Sequence, residues 1–535
     1  MTVGTVTPYR PGQQTGRDGF GQLLRAEWTK FRTVRGWVIG LVVAVLVMLG
    51  LGLFAAVGTS GSCQSVSGES GGPARSGQGC STAPALPVGP GGEAVTDSFY
   101  FVRQPLTGNG SITVRVTSLT GRIPSRNGPG TGTQPGLVPW AKAGIIIKAS
   151  TKPGSAYAAM MVTADHGVRM QDNFTGDTAG QPGAVTASDP RWLRLTRSGD
   201  TITGYDSSDG THWTQVGIVH LAGLPPTVQA GLFAASPAYQ AISESVGGGE
   251  NGLIGPSQDT AVFDHVGLSG TWPAGTWTGN YIGADYGSGI GGYHQAGGRF
   301  TVTGSGDIAP AVPGQGANDV TVAAFLVGTF AGLIAMIVVA TMFITAEYRR
   351  GLIRVTLAAS PRRGRVLAAK AIVIGSVAFV AGLVAAAAAV ILGTQLARGR
   401  VSVFAVSWLT ELRMVVGTAA LVAVAAVLAL ALGTILRRSA AAVTLAIVVI
   451  IVPYFLSLTS VLPIGVTDWI LRLTPAAAFA TQQPVPQYAQ VTALYSPGGP
   501  GGYFPLAPWA GFAVLCGWAA LAVALALVLL RRRDV

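Results

Sequence analysis

The chain has 535 residues, and its 35 Lys plus Arg outnumber 23 Asp plus Glu, for a net charge of +12. The excess is uneven: residues 60–319 hold 13 basic and 17 acidic side chains, which leaves 22 basic against 6 acidic for the remainder. A DNA-binding surface would set its basic groups on a soluble face among polar or aromatic readers. Here they bracket apolar runs, so nucleic acid is not an expected partner.

In chain order, residues 1–19 are rich in Gly, Pro, Thr and Gln and read as a disordered tail. From Phe20, apolar residues recur at helical spacing (Phe20, Leu23, Leu24, Trp28, Phe31, Val34), with Arg25, Lys30 and Arg32 off that face. This predicts an amphipathic helix over 20–36, lying in the membrane interface. Glu27 falls on the apolar side. A salt bridge to a nearby Arg is the plainer reading, and a polar contact with a partner subunit the sharper one.

Six apolar stretches follow, at 37–57, 320–345, 366–392, 414–436, 440–462 and 509–530, each near or above the ~20 residues a helix needs to cross a bilayer. The long leader and the five later stretches make the first an uncleaved anchor rather than a signal peptide. With the N-terminus in the cytoplasm, the basic residues that flank these spans divide 18 against 4. The positive-inside rule then places both termini, including 531–535, in the cytoplasm and the large segment after the first span outside. Arg outnumbers Lys 30 to 5 amid heavy Ala and Gly use, a compositional hint of a high-GC bacterium and hence of a bacterial plasma membrane.

The external segment opens with a Gly/Ser/Pro-rich linker over 58–92. It holds Cys63 and Cys80, for which an oxidising exterior permits a bridge and two free thiols is the alternative; Cys516 is alone in the last span, and no metal-binding spacing occurs. Within 93–310, alternating runs at 99–103, 111–117, 143–148, 156–163, 192–198, 201–206, 228–234 and 262–268 predict an antiparallel sandwich. The phrases "DSFYFVRQPLTGNGSITVRV", "RWLRLTRSGDTITGYDSSDGTHWTQVG" and "AVFDHVGLSG" resemble the concanavalin-like, laminin-G-like jelly roll, and "GGRFTVTGSGDIAP" resembles its opening strand displaced to the end. "DSSDGTHW" reads as a tight turn with Trp213 packed under it, not as a calcium loop. Asp165 with His166, and Asp264 with His265, are neighbours on strands, which point to opposite faces and so do not form acid–base pairs. Trp140, Trp192, Tyr205 and Trp213 are candidate glycan-contact aromatics, although most sandwich Trp residues are core.

Between the second and third spans, "TAEYRRGLIRVTLAASPRRGRVLAAK" gives a basic loop over 346–365 with a short helix that Gly351 starts. Leu352, Ile353, Val355, Thr356 and Leu357 supply its apolar side, and Pro361 follows its end. Here the chain resembles a permease of the ABC transporter type-two superfamily, the exporter class with six spans per subunit. Glu347, Arg349, Arg350, Gly351, Pro361, Arg362, Arg363 and Lys370 match that family's acidic residue, basic pair, Gly and coupling helix, and its Pro with basic residues before the third span. "RAEWTKFRTVRGW", with Glu27, Trp28, Lys30 and Phe31, resembles its interfacial connecting helix. The resemblance implies that Glu347 and Arg350 contact an ABC ATPase subunit, and that the chain works as a homodimer or beside a similar permease, in membrane lipid.

No G-x-x-x-x-G-K-[ST] phosphate loop occurs, so ATP and Mg are expected on the partner ATPase, with no cofactor and no enzymatic activity on this chain. No ionisable residue lies well inside the apolar cores, which argues against an ion-driven carrier. Small residues after Gly382 and Gly417 predict close packing of the third and fourth spans. Pro453 and Tyr454 predict a kink that either lines a path or is simply packed. Residues 463–508 read as an external loop. The fold class expected is an α-helical polytopic membrane protein of six transmembrane helices with an inserted all-β extracellular sandwich, or jelly roll. The function expected is the permease subunit of an ABC exporter, its sandwich serving substrate, glycan or partner contact. The alternative is a membrane-anchored cell-envelope glycan- or peptide-binding protein without transport activity.

Overall fold

A computed structural model describes residues 19–58, 86–125, 132–244, 250–273, 275–283, 291–312, 319–353, 356, 362–398, 402–458, 462–491 and 503–532. Helix α1 (Phe20–Thr33) and helix α2 (Arg35–Gly58) are separated by Val34 alone, whose extended backbone (φ −86°, ψ 99°) turns the chain between them. Four more long apolar segments complete the bundle on the C-terminal side of the β domain, with a fifth that is broken: α3 (Thr329–Arg349), α4 (Arg363–Ala397), α5 (Trp408–Leu436), the pair α6 (Ser439–Ile450) and α7 (Val452–Leu458), and α9 (Pro508–Arg532). Among the described residues, six helical segments are thus long and apolar enough to span a bilayer. The protein is a polytopic helical membrane protein with an antiparallel β domain inserted after its first span.

Small residues let these helices approach closely. A Cβ added at Gly382 on α4 would sit 3.1 Å from Ala419 Cα on α5, the contact that the Gly/Ala-rich text of both spans predicts. The break between α6 and α7 falls at Ile451, just before Pro453, whose ring lacks the N–H that would continue the ladder. Tyr454 then packs between Phe330 (4.5 Å between ring centroids) and Phe479 (4.9 Å), so the kink is a packed one.

Residues 463–508 are more than a loop. Helix α8 (Ile464–Leu473) leads into a 3₁₀ stretch, Pro475–Gln482, of which every residue is buried. It fits because the neighbouring helices offer glycine: a Cβ at Gly511 would lie 2.1 Å from Ala477 O, and one at Gly417 2.6 Å from the Thr481 side chain. Gln482 Nε2 donates to Thr329 Oγ1 (3.1 Å) and Thr418 Oγ1 (3.0 Å), tying this stretch to α3 and α5. The run PAAAFATQ is too short to register as a span in sequence, and its burial depends wholly on those partners.

The β domain is organised by β2 (Phe99–Pro124), where two separate strands were expected. Gly108, with φ +68°, lets the chain bend at residues 108–110 without ending the strand. Residues 100–107 of β2 pair with β11 (Thr227–Ala235), residues 110–116 with β8 (Arg191–Ser198), and the opposite edge with β14 (Gln258–Thr271) and β15 (Thr278–Ile282). From β11 the sheet continues through β4 (Lys142–Lys148), β5 (Tyr157–Thr163), β6 (Val168–Asp172) and β7 (Gly176–Ala179); from β8 it continues through β9 (Thr201–Ser207) and β10 (Thr214–His220). β16 (Gly292–Ala296) and β17 (Arg299–Gly304) extend the β14 side, which puts the late phrase beginning at Gly297 into the sheet. The short β3 (Thr133–Pro135) pairs with the end of β2, and β12 (Tyr239–Glu244) with β13 (Glu250–Gly255) forms a separate hairpin. Strand alternation places Ile112, Val114, Leu193, Leu195, Ile202 and Leu232 in the main core.

Strands β4 and β5 are buried on both faces. Their second face is covered by a two-stranded ribbon, β1 (Val95–Asp97) with β18 (Ile308–Pro310), in register Val95 to Pro310. Lys148 Nζ donates to Asp97 Oδ2 and Lys142 Nζ to Asp307 Oδ1, each at 2.6 Å, with both lysines fully buried. The domain rests on the bundle through Ala94 N to Ala405 O (3.0 Å), Gln490 Nε2 to the carbonyls of Phe174 and Thr175 (3.3 Å each), and an apolar cluster of Ala94, Ala311, Phe404 and Val485.

Candidate functional site

At the end of the bundle where α3 ends and α4 begins, four charged side chains from three helices meet. Lys370 on α4 is fully buried, and its Nζ donates to Glu27 Oε2 on α1 (2.7 Å) and to Glu347 Oε1 on α3 (2.6 Å). Lys30, one turn along α1, donates to Glu27 Oε1 (2.8 Å) and Glu347 Oε1 (3.2 Å). Glu27 and Glu347 are 1% and 6% exposed. Two ammonium and two carboxylate groups sum to zero charge, which is what allows Glu27, Glu347 and Lys370 to leave water while Lys30 stays partly exposed: an unpaired buried ion would cost several kcal/mol. Burial alone would lower the pKa of Lys30, but the hydrogen bonds and charges of Glu27 and Glu347 outweigh it and raise it.

Aromatic residues wall this quartet. The Lys370 ammonium lies 4.8 Å from the Phe343 ring centroid, and Phe343 meets Phe31 (5.9 Å) and Trp37 (5.0 Å) edge-on. Phe31 is buried and Trp28 exposed, so α1 turns Glu27 and Phe31 into the bundle while Trp28 stays at its surface.

The sequence-predicted residues therefore separate. Glu27 does form an intramolecular salt bridge, but to Lys30 and Lys370 and not to an Arg. Glu347, expected to contact a partner subunit, faces inward, whereas Arg349 and Arg350 are exposed. Gly351, expected to start the next helix, also closes α3: its φ is +66° and its N–H bonds Tyr348 O at 3.3 Å, and the described residues that follow it, Leu352, Ile353 and Thr356, are helical. Leu352 and Arg362 are exposed, and Arg363 donates to the Leu530 carbonyl on α9. Leu357, Pro361, Cys63 and Cys80 lie outside the described residues. Lys370 is the residue whose place was missed. One of five lysines in an Arg-rich chain, set five residues into an apolar stretch, was itself a signal of an interior ion.

The aromatic candidates of the β domain also divide. Trp140 is buried, stacked on His166 at 3.9 Å, which removes it from the surface. Trp192, Tyr205 and Trp213 are half-buried on the outer side of β8 and β9. Trp213 does not lie under the turn as expected: the Arg194 guanidinium stacks on it at 3.8 Å, and a Cβ at Gly210 would strike Trp192, at 2.7 Å. The turn itself is held by Asp209 Oδ1, which accepts from the backbone N–H of Thr211 (2.7 Å) and His212 (2.8 Å).

The expectation that Asp264 and His265 point apart also fails. His265 has φ +50° at a bulge in β14, so alternation breaks and its Nδ1 lies 2.9 Å from Asp264 Oδ1. Arg115 Nε and Nη2 clasp the same carboxylate at 2.7 Å each and, together with burial and His265, set its pKa at about 2. No cluster of three or more metal-binding side chains occurs among the described residues.

Residues 150–535 match the family described as ABC-2 family transporter protein. The chain belongs to the ABC-2 transporter family. The matched residues of this ABC-2 protein begin inside the β domain, so they include most of the insert and leave out α1 and α2, where the likeness was expected to omit the insert alone. A search of curated proteins finds no match. Solved structures similar in part include a functionally unknown protein from Saccharomyces cerevisiae (17% identity, 33% of this chain and 76% of that one, TM-score 0.20). Others are scytalido-glutamic peptidase with a transition state analog inhibitor (6%, 39% and 98%, TM-score 0.25) and the GH43 BlXynB protein from Bacillus licheniformis (16%, 32% and 27%, TM-score 0.17). At those TM-scores they carry no argument about this ABC-2 permease.

Proposed function

We propose that the chain is the membrane subunit of an ABC exporter driven by a separate ATPase that binds ATP and Mg, with α1 and the loop after α3 on the cytoplasmic side and the β domain outside. The observation that carries this reading is the buried quartet, in a chain of this family. Glu27, Lys30, Glu347 and Lys370 join α1, α3 and α4 through ion pairs that break only at high cost, so a push on α1 or on the exposed Arg349 and Arg350 moves three helices together. Arg349 and Arg350 would meet the ATPase, and Glu347 would position the helices behind them. Two such subunits, identical or similar, would form the pathway in lipid. The β domain offers Trp192, Tyr205 and Trp213 for contact with substrate, glycan or another envelope component.

The test is co-purification of the full chain with its ATPase from membranes. Replacing Arg349 and Arg350 with Ala should lose the ATPase, while Lys370→Met with Glu27→Gln and Glu347→Gln should keep it and lower transport per ATP hydrolysed. Unchanged assembly and ATP turnover in the arginine variant would overturn the assignment of the contact.

A further inference from the structure

We propose that a groove between α1, α2 and α4 is a binding site for one anionic glycerophospholipid, seated with an acyl chain between the helices and its phosphate on the arginines of α1. The groove encloses about 430 Å³ and is lined by Trp28 of α1, Leu41 and Val45 of α2, and Ser376, Val380 and Val384 of α4, with Ser376 the one polar side chain among these. From Ser376 to Val384 it runs about 12 Å along α4 at 1.5 Å per residue. That is most of one leaflet's ~15 Å of hydrocarbon. An acyl chain fills such a slot along its length.

Exposed apolar residues are ordinary on a membrane helix, and the slot alone would take any lipid. What selects the headgroup lies at its mouth. Trp28 is 46% exposed, and helical spacing puts Arg25 (i−3) and Arg32 (i+4) on its flank away from Glu27. Arg35 begins α2, and Arg365 lies on the first turn of α4. All four arginines are exposed, and none forms an ion pair among the described residues. The acidic groups near them, Glu27 and Glu347, are already held by Lys30 and Lys370. The unmatched guanidinium groups of Arg25 and Arg32 beside Trp28, with Arg35 and Arg365 on the first turns of the other two helices, complement a phosphodiester headgroup with a second negative or polar substituent, such as phosphatidylglycerol. The indole of Trp28 sits at the level where headgroup meets chain. A lipid so placed bridges α1 to α4 alongside the Glu27–Lys370 bond. This inference does not depend on the exporter reading.

The full chain in nanodiscs of phosphatidylcholine tests it, with brominated-chain phosphatidylglycerol or brominated-chain phosphatidylcholine added at equal low mole fraction. Quenching of Trp28 is the wild-type signal minus that of Trp28→Phe. The glycerol lipid should quench about fivefold more than the choline lipid. The excess should vanish in Arg25→Gln with Arg32→Gln, shrink when the slot is narrowed by Ala381→Phe, at a further lining residue on α4, and weaken in wild-type protein as salt rises. Equal quenching by both lipids would mean ordinary annular lipid, and quenching by neither would mean that protein covers the groove; either result overturns the proposal.

Discussion

Lys370 donates to Glu27 at 2.7 Å across 343 residues of sequence, and that one contact places the amphipathic N-terminal helix on the bundle. Without it, α1 would be held by the longer Lys30–Glu347 bond (3.2 Å) and by Phe31 with its aromatic neighbours. Lys370→Met leaves two buried carboxylates with only Lys30 between them, and the expected loss is about 3–5 kcal/mol. Adding Glu27→Gln and Glu347→Gln should recover most of it. Thermal unfolding of the three proteins in one detergent measures both steps, and a single variant as stable as wild type would show that the quartet adds nothing.

The β-domain clamp behaves alike. Asp97→Asn strands the fully buried Lys148 ammonium, so hydrogen exchange at β1 and β18 should rise sharply, while Asp97→Asn with Lys148→Met should restore protection. Equal protection in all three proteins would place the stability of the ribbon elsewhere.

Asp264 titrates at about 2, below the ordinary value of ~3.9, because Arg115 binds its ionised form. The unfolded chain therefore binds more protons in the interval between these values. Stability from this pair is complete above roughly pH 4–5 and is lost as pH falls through about 2. Carboxyl NMR titration should return Asp264 toward the ordinary range in Arg115→Leu.

Two glycines of α9 give opposite expectations. Gly511→Ala forces a Cβ to 2.1 Å from a backbone oxygen and should cost about 1–3 kcal/mol, whereas Gly517→Ala meets nothing within 4 Å and should gain helix propensity. Melting temperatures that move together would contradict the placement of the 3₁₀ stretch.

Much of this architecture was legible because its signals are local. Six apolar runs, arginines at their ends and two-residue alternation in the insert need no knowledge of distant partners. The candidate site was half legible: Glu27 stood out as an acid on an apolar face, but nothing near it in sequence says that Lys370 and Glu347 neutralise it. The buried Pro475–Gln482 stretch escaped for the same reason, since Gly417 and Gly511 make its room. His265 escaped because a bulge reverses strand parity, and a sequence pattern carries no mark of positive φ at a non-glycine residue.

The pairing of Val95 with Pro310 has a mechanical consequence. The strand leaving α2 and the strand returning toward α3 are neighbours in one ribbon, so the residues between them hang from the transporter as a pendant on a doubled cord and add almost no span between the two helices. If α2 and α3 separate, the load falls in shear on that ribbon and on the Lys142 and Lys148 rivets behind it, and the whole β domain follows the motion of its two suspending helices.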